Sequence, residues 1–93
     1  MRLIYQRGRE QISFPIDEGE TFIGRKEYCE IHFPEGSLSK RHARLLREGN
    51  TLWAFDAGSR NGTLVNGILV LRKELRPGDC IEIGRQESRA RRS

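Results

Sequence analysis

The chain has few cysteines, few histidines and no long apolar run. Its 93 residues include two cysteines, two histidines and 8% aromatic residues. Two cysteines are too few for a disulfide scaffold, and no stretch approaches the ~18 consecutive apolar residues that a membrane-spanning helix needs. The first residues also lack the apolar run of a secretory signal. These absences predict a soluble, intracellular, cytoplasmic protein, and the length fits one domain.

The net charge of +4 is concentrated at the C-terminal end of the sequence. Residues 85–93 hold four arginines and one glutamate, a local charge of +3, so residues 1–84 together contribute one unit. Ala90 is the one apolar residue of this end, which therefore has little to bury. We expect a domain over residues 1–84, followed at 85–93 by a polar basic tail that forms a weak last strand or begins a linker.

Apolar and polar residues alternate in several short segments, which is the period of a β-strand with one buried face. Cys29, Ile31 and Phe33 follow this pattern. Trp53 and Phe55 alternate in the same way, and we expect both on the inward face. Ten glycines are spread along the chain and separate the segments. The sequence therefore predicts short strands, with helix as a minor element at most.

Three turn signals divide these strands. Glu48-Gly49-Asn50 separates two apolar segments and predicts a hairpin. Asn66-Gly67 predicts a tight two-residue hairpin, because both residues tolerate positive φ. Pro77-Gly78 predicts a type II turn before the strand that begins at Cys80. Short strands at this spacing, without alternating helices, predict an all-β sandwich or barrel.

Three loop-like segments are unusually rich in basic, hydroxyl and amide side chains. They are residues 24–27, 37–42 and 56–63. Arginine can donate a forked pair of charge-assisted hydrogen bonds to a phosphate, lysine supplies a point charge, and serine supplies a neutral donor. Backbone N–H groups near glycine add further donors. Together these groups are suited to a dianionic phosphate, although no segment is specific by itself.

The order and spacing of these motifs resemble the forkhead-associated (FHA) domain from about Phe22 to Gly84. The resemblance rests on one series: Gly24-Arg25, Ser39-x-x-His42, Ser59-x-Asn61-Gly62-Thr63-x-Val65-Asn66-Gly67 and Leu75-x-x-Gly78-Asp79-x-Ile81-x-Ile83-Gly84. It implies an all-β, two-sheet antiparallel β-sandwich of the FHA type, with ligand loops at one end. It also implies a module that binds phosphothreonine peptides. The polar sequence after Gly84 departs from the family, which has an apolar last strand there.

The resemblance also assigns roles to single residues. Arg25 matches the family's phosphate-binding arginine, and Ser39 matches the serine whose hydroxyl bonds a phosphate oxygen. Lys40 and Arg60 occupy positions near the phosphate that vary among members. Asn61 matches the asparagine that bonds the main chain of the peptide. Structural support of the site is implied for Gly24, His42, Gly62 and Thr63.

The implied partner is a phosphothreonine-containing protein or peptide that a serine/threonine kinase has modified. No cofactor is expected, and neither a membrane nor a nucleic acid is the expected partner. Two alternatives stay open. The same fold could act as a phosphate-independent interaction scaffold, or the basic tail could bind nucleic acid.

An enzyme or a metal site is not expected. The motif Ser37-x-x-Lys40 lacks the partner motifs of penicillin-recognising enzymes. A catalytic triad would need His42, which the resemblance assigns to structural support. The separations of the two cysteines and two histidines do not resemble a zinc-binding pattern, so we expect Cys29 and Cys80 in the core.

Overall fold

The computed structural model of the chain describes residues 1–7, 9–84 and 86–91. Eleven strands and no helix occur in this part of the chain, and none of it could cross a membrane as a long apolar helix. The strands are β1 (Arg2–Arg7), β2 (Glu10–Pro15), β3 (Gly19–Gly24), β4 (Ile31–His32), β5 (Ala43–Glu48), β6 (Thr51–Asp56), β7 (Thr63–Val65), β8 (Ile68–Val70), β9 (Arg72–Leu75), β10 (Cys80–Ile83) and β11 (Gln86–Arg91).

The strands form two sheets that pack against each other. One sheet has six strands in the order β2-β1-β11-β10-β7-β8, and the other has five in the order β4-β3-β5-β6-β9. Among the described strands, β3 and β4 pair in parallel and the other pairings are antiparallel. This architecture confirms the predicted all-β, two-sheet sandwich.

Inward-facing side chains from both sheets fill the space between them. Leu3 and Ile81 of the six-stranded sheet and Ile23, Leu45 and Ala54 of the five-stranded sheet belong to one buried cluster, with at most 1% of each exposed. Burial of a large apolar side chain contributes about 1.5–3 kcal/mol. The core therefore holds the sheets together, and the polar loops lie at the ends of the strands.

The predicted turns are present. A hairpin connects β5 and β6. Asn66 and Gly67 have φ values of 53° and 80°, as a two-residue hairpin between β7 and β8 requires. Gly78 has a φ of 92°, and the Asp79 N–H donates to the Arg76 carbonyl at 3.0 Å, which closes the turn before β10.

The predicted inward face of β6 is wrong. Leu52 and Ala54 point into the core, whereas Trp53 and Phe55 lie half-buried on the outer face of the sheet. The two aromatic rings stack there with centroids 6.4 Å apart, and the Arg44 guanidinium lies 4.2 Å from the Phe55 ring. The small side chain of Ala54 fits between the sheets, and the aromatic and cationic groups stabilise each other outside.

The polar C-terminal segment contains a strand in the middle of a sheet. β11 lies between β1 and β10 and pairs with both. Gln86, Ser88 and Ala90 are buried, while residues 87, 89 and 91 are exposed. The segment thus has the period of a strand without its usual apolar residues. The remaining residues of the expected tail lie outside the described part of the chain: Arg85, Arg92 and Ser93.

Removal of residues 85–93 will prevent cooperative folding, because β1 and β10 lose the strand that joins them. Chemical denaturation followed by tryptophan fluorescence and circular dichroism measures this. The untruncated variant Glu87→Gln/Arg89→Gln, which alters exposed side chains, should keep the parent's unfolding free energy within about 0.5 kcal/mol. A truncated chain that unfolds cooperatively at the parent's midpoint would contradict this role of β11.

Candidate functional site

The three polar segments meet at one end of the sandwich. They surround an open recess of about 350 Å³, hereafter the recess. All five side chains that the resemblance assigns to ligand contact line it. The lining residues are Arg25, Gly36, Ser37, Leu38, Ser39, Lys40, Arg41, Gly58, Arg60 and Asn61.

The end of β3 lies directly against the loop that carries Ser39. The Arg25 N–H donates to the Ser39 carbonyl at 3.0 Å. A Cβ atom at Gly24 would lie 2.2 Å from the Lys40 carbonyl oxygen. Since real Cβ atoms do not approach an oxygen this closely, position 24 requires a glycine. The absence of a side chain there lets the first two segments come together.

His42 connects the Ser39 loop to the third segment. Its side chain is fully buried. Nδ1 accepts a hydrogen bond from the Ser39 N–H at 3.1 Å, and Nε2 lies 2.7 Å from the Gly62 carbonyl oxygen. An N–H can only donate and a carbonyl can only accept, so the ring carries its proton on Nε2. The imidazole therefore sets the separation of the two loops.

Asp56 organises the third segment, a role that the sequence did not reveal. Its carboxylate accepts hydrogen bonds from the Ser59 hydroxyl, from the Thr63 hydroxyl at 2.8 Å, and from the Gly58 and Ser59 N–H groups at 3.2 and 3.1 Å. Burial raises the pKa of this carboxyl, but the hydrogen bonds outweigh burial and lower the pKa below its ordinary value. An aspartate whose carboxylate accepts from N–H groups two and three residues later forms an Asx turn. An Asp followed by Gly and Ser is therefore the signal by which the sequence could have indicated this role of Asp56.

The four residues assigned to structural support lie around the recess without lining it. Thr63 is fully buried, and its hydroxyl is directed to Asp56. Gly62 has a φ of 87°, and a Cβ there would lie 2.4 Å from Leu69 Cδ1. Gly62 and Thr63 thus form the end of the third segment, where it leads into β7.

Arg25 is fixed by a buried neighbour. Its Nε donates to the Leu38 carbonyl at 3.1 Å. The Leu38 side chain is 2% exposed and belongs to the core cluster, so its packing fixes the second segment, residues 37–42, against the core. The terminal nitrogens of Arg25 have no hydrogen-bond partner among the described residues. The sequence did not single out Leu38, an apolar residue in an otherwise polar loop.

Ser39 and Asn61 are also held by backbone groups. The Ser39 hydroxyl oxygen accepts a hydrogen bond from the Arg60 N–H at 2.9 Å, which leaves its own hydrogen for another acceptor. Asn61 Nδ2 donates to the Ser37 carbonyl at 3.0 Å, which leaves the side-chain amide oxygen for a donor. Both side chains therefore retain hydrogen-bonding groups while their positions are fixed.

The recess has an unbalanced positive charge. Among the described residues, the ion pair found within 4 Å is Arg44–Glu20, which is not part of the recess. The Arg41 guanidinium lies 4.8 Å from the Phe22 ring and 5.2 Å from the Tyr28 ring, so aromatic faces position it. No acidic residue lines the recess, whereas four basic residues do: Arg25, Lys40, Arg41 and Arg60. Such a surface attracts a multiply charged anion.

The cysteines differ in position. Cys29 is buried as predicted, and its Sγ donates to the Lys40 carbonyl at 3.3 Å. Burial raises the pKa of the Cys29 thiol, which keeps its hydrogen for this bond. Cys80 is partly exposed, so its expected place in the core is wrong. The described residues contain no group of three or more histidine, cysteine or acidic side chains that could hold a metal ion.

Comparison with known proteins gives a consistent match. The FHA domain family model matches residues 21–84. FHA domain-containing protein FhaA of Mycobacterium tuberculosis is 32% identical over 75 residues, which cover 81% of this chain and 14% of FhaA. Glycogen accumulation regulator GarA of Mycolicibacterium smegmatis is 36% identical over 84 residues, which cover 89% of this chain and 53% of GarA. The chain thus spans about half the length of GarA and a smaller part of FhaA.

A solved structure has the same fold over the full length of the chain. It comes from a structural and functional analysis of phosphothreonine-dependent FHA domain interactions. The TM-score is 0.90 at 28% identity, and the alignment covers 100% of this chain and 98% of the other.

Replacement of Gly24 by alanine will destabilise the domain by about 1–3 kcal/mol, because the new Cβ overlaps the Lys40 carbonyl and forces the backbone apart. Urea denaturation of both chains measures the difference. Gly36→Ala is the matched control, since a Cβ at Gly36 has no atom within 4 Å. Equal stability of the Gly24→Ala variant and the parent would show that the close approach is not required.

The variant Asp56→Asn will lose stability at neutral pH but not in strong acid. The folded-state pKa of Asp56 is lowered, so its carboxylate stabilises the fold above the unfolded value of about 4. That contribution disappears as pH falls through the folded pKa. Unfolding free energies of parent and variant should therefore differ by a constant amount between about pH 5 and 7 and converge below about pH 4.

The exposed Asp17 provides the control for this pH series, because Asp17→Asn alters a carboxylate on the surface. It should change the unfolding free energy by less than about 0.5 kcal/mol at each pH. A difference between Asp56→Asn and the parent that persists unchanged to about pH 2 would contradict the stabilising role of the charged carboxylate.

Proposed function

The chain belongs to the FHA domain family, and we propose from this premise that its recess binds the phosphothreonine of a phosphorylated partner protein. One observation carries the proposal. Arg25 and Ser39, each fixed by a neighbouring backbone group, converge on a recess that four basic residues and no acidic residue line. The relative that shares this fold was studied for phosphothreonine-dependent interactions, which supports the same ligand class here.

The chemistry of Arg25 and Ser39 suits a phosphate monoester. A phosphothreonine carries a charge of about −1.5 to −2 at neutral pH and three strong acceptor oxygens. The terminal nitrogens of Arg25 supply a forked, charge-assisted pair of donors, and the Ser39 hydroxyl supplies a neutral one. Each hydrogen bond to a charged group contributes about 1.5–3 kcal/mol. Two or three of them discriminate a phosphorylated from an unmodified peptide by several kcal/mol.

Lys40, Arg60 and Asn61 complete the proposed site. Lys40 and Arg60 are exposed at its rim and add positive charge. The free amide oxygen of Asn61 accepts a hydrogen bond from a backbone N–H of the peptide beside the phosphothreonine. A short extended peptide adds few other contacts, so we expect micromolar affinity, about −8 kcal/mol.

The proposed role is to recruit a phosphorylated partner during kinase-dependent signalling or assembly. A serine/threonine kinase supplies the mark, and the encounter takes place in the cytoplasm, where such a kinase has ATP. Binding forms and breaks no covalent bond, so the proposed module is not itself an enzyme.

Arg25→Ala and Ser39→Ala will each weaken binding of a phosphothreonine peptide by about 10- to 100-fold, because each removes charge-assisted or phosphate-directed hydrogen bonds. The peptide is selected from a degenerate library with a fixed central phosphothreonine, and affinity is measured by fluorescence anisotropy. Arg72→Ala, which removes an exposed arginine from β9 outside the recess, should bind as the parent does.

Phosphoserine and unmodified versions of the selected peptide serve as ligand controls. The phosphoserine peptide should bind a few-fold more weakly, since it lacks one methyl group worth about 0.8 kcal/mol. The unmodified peptide should show no measurable binding. Equal affinity for all three peptides, or binding that survives both substitutions, would favour the phosphate-independent scaffold instead.

A further inference from the structure

The outer face of the six-stranded sheet carries an ordered pattern of charge on β1, β10 and β11. Leu3, Ala90 and Ile81 of these strands are buried, so the alternate residues point outward. These outward residues form three rows of cross-strand neighbours, which together make up the charged face. The arginine row is Arg2 and Arg91, the middle row is Ile4, Arg89 and Cys80, and the glutamate row is Glu87 and Glu82.

Two of these rows place like charges directly opposite each other. Arg2 faces Arg91 across β1 and β11, and Glu82 faces Glu87 across β10 and β11. Like charges at directly opposed positions of adjacent strands are destabilising. None of the four side chains belongs to the ion pair found among the described residues. An unfavourable arrangement therefore occurs twice on one face, with opposite signs.

The two rows become complementary between two molecules. Arg91 and Glu87 are four residues apart on β11, so the rows are separated by about 14 Å. A two-fold axis in the plane of the interface, running across the strands along the middle row, places the arginine row of one copy over the glutamate row of the other. The backbone of Arg89 lies on this axis, but its Nη1 donates to the Gly78 carbonyl at 3.2 Å, so the guanidinium is displaced toward the arginine row and away from Arg89 of the second copy. The interface of a two-fold dimer requires such a self-complementary patch.

We propose that the charged face binds the same face of a second copy of this chain. The signs of the charges favour this occupant, because an acidic peptide or a nucleic acid would be attracted by the arginine row but repelled by the glutamate row. Around the middle row lies a shallow groove of about 590 Å³, whose lining includes Ile4 and Cys80. None of the lining residues of the recess belongs to this face, so each copy keeps its ligand site.

The size of the face sets the expected strength of the dimer. Three rows across the three strands cover about 300 Å² on each copy, from the ordinary spacing of strands and residues in a sheet. The total of about 600 Å² is below the usual range of stable, specific interfaces. The dimer is therefore weak, and its population depends on protein concentration.

Two charge-reversal variants test the proposal by sedimentation velocity between about 10 µM and 1 mM protein, the range suited to a weak interface. Arg2→Glu/Arg91→Glu makes the face acidic, and Glu82→Lys/Glu87→Lys makes it basic. Each variant alone should associate at least about tenfold more weakly than the parent, because both rows then repel. An equimolar mixture of the two should form a heterodimer, because the acidic outer rows of one variant then face the basic outer rows of the other, while Arg89 is the same in every combination.

A matched control separates this effect from a general effect of charge reversal. Arg72→Glu/Glu74→Lys changes exposed residues of β9, in the other sheet, and should associate as the parent does. Circular dichroism verifies that every variant is folded. A parent that stays monomeric up to about 1 mM, or a mixture of the two reversed variants that fails to associate, overturns the proposal.

Crosslinking provides a second readout of the axis. An axis along the middle row places the partly exposed Cys80 close to Cys80 of the second copy. A short bismaleimide should therefore join two chains of the parent, and Cys80→Ser should abolish the product. Cys29→Ser should not, because Cys29 is buried. Crosslinked dimer that persists in Cys80→Ser contradicts the proposed axis.

Discussion

The recess depends on the buried hydrogen bonds of His42. One ring nitrogen accepts from the Ser39 N–H and the other donates to the Gly62 carbonyl, so the two loops that provide Ser39 and Asn61 have a fixed separation. A buried polar ring is costly unless its nitrogens are paired. Both are paired here, so the same contact satisfies the interior and sets the geometry of the surface. Because Gly24 has no side chain, the first segment can lie directly against the Lys40 carbonyl of the second.

Backbone groups rather than acidic side chains hold the ligand-facing residues. The Leu38 and Ser37 carbonyls accept from Arg25 and Asn61, and the Arg60 N–H donates to Ser39. These contacts restrict the side chains without neutralising the positive charge of the recess. A site that is already ordered loses less conformational freedom when an anion binds. The basic side chains of the recess repel one another, and the stability contributed by the apolar core offsets this repulsion.

The sequence predicts most of the fold because its signals are local. Asn66 and Gly78 are residue types that tolerate positive φ, so they indicate turns. The alternation of apolar and polar residues indicates strands. In β6 the alternate residues on both faces are apolar, so the sequence could not show whether Trp53 or its neighbours face the core. The sequence left open whether residues 85–93 form a weak last strand or begin a linker, because the inward residues of β11 include Gln86 and Ser88, whose burial depends on pairing with distant strands.

The sequence predicted the ligand-facing residues of the recess but not the contacts that hold them in place. The spacing of the motifs brought the ligand-facing residues to one loop cluster, and these residues do line one recess. The contacts that position them involve Asp56 and the Leu38 carbonyl, which are not distinguished by residue type alone. The charge rows of β1, β10 and β11 are a property of strand register, which a single sequence does not reveal.

Phosphate binding in the recess can be observed residue by residue in a peptide titration followed by two-dimensional ¹H–¹⁵N NMR. The probe is a degenerate peptide pool with a fixed central phosphothreonine, added to the folded 93-residue chain. The largest shifts should occur at the backbone amides of Ser39, Arg60 and Asn61 and at the side-chain Nε–H of Arg25. The unmodified pool should leave these signals unchanged. Shifts confined to other surfaces, or equal shifts with both pools, would contradict a phosphate site in the recess.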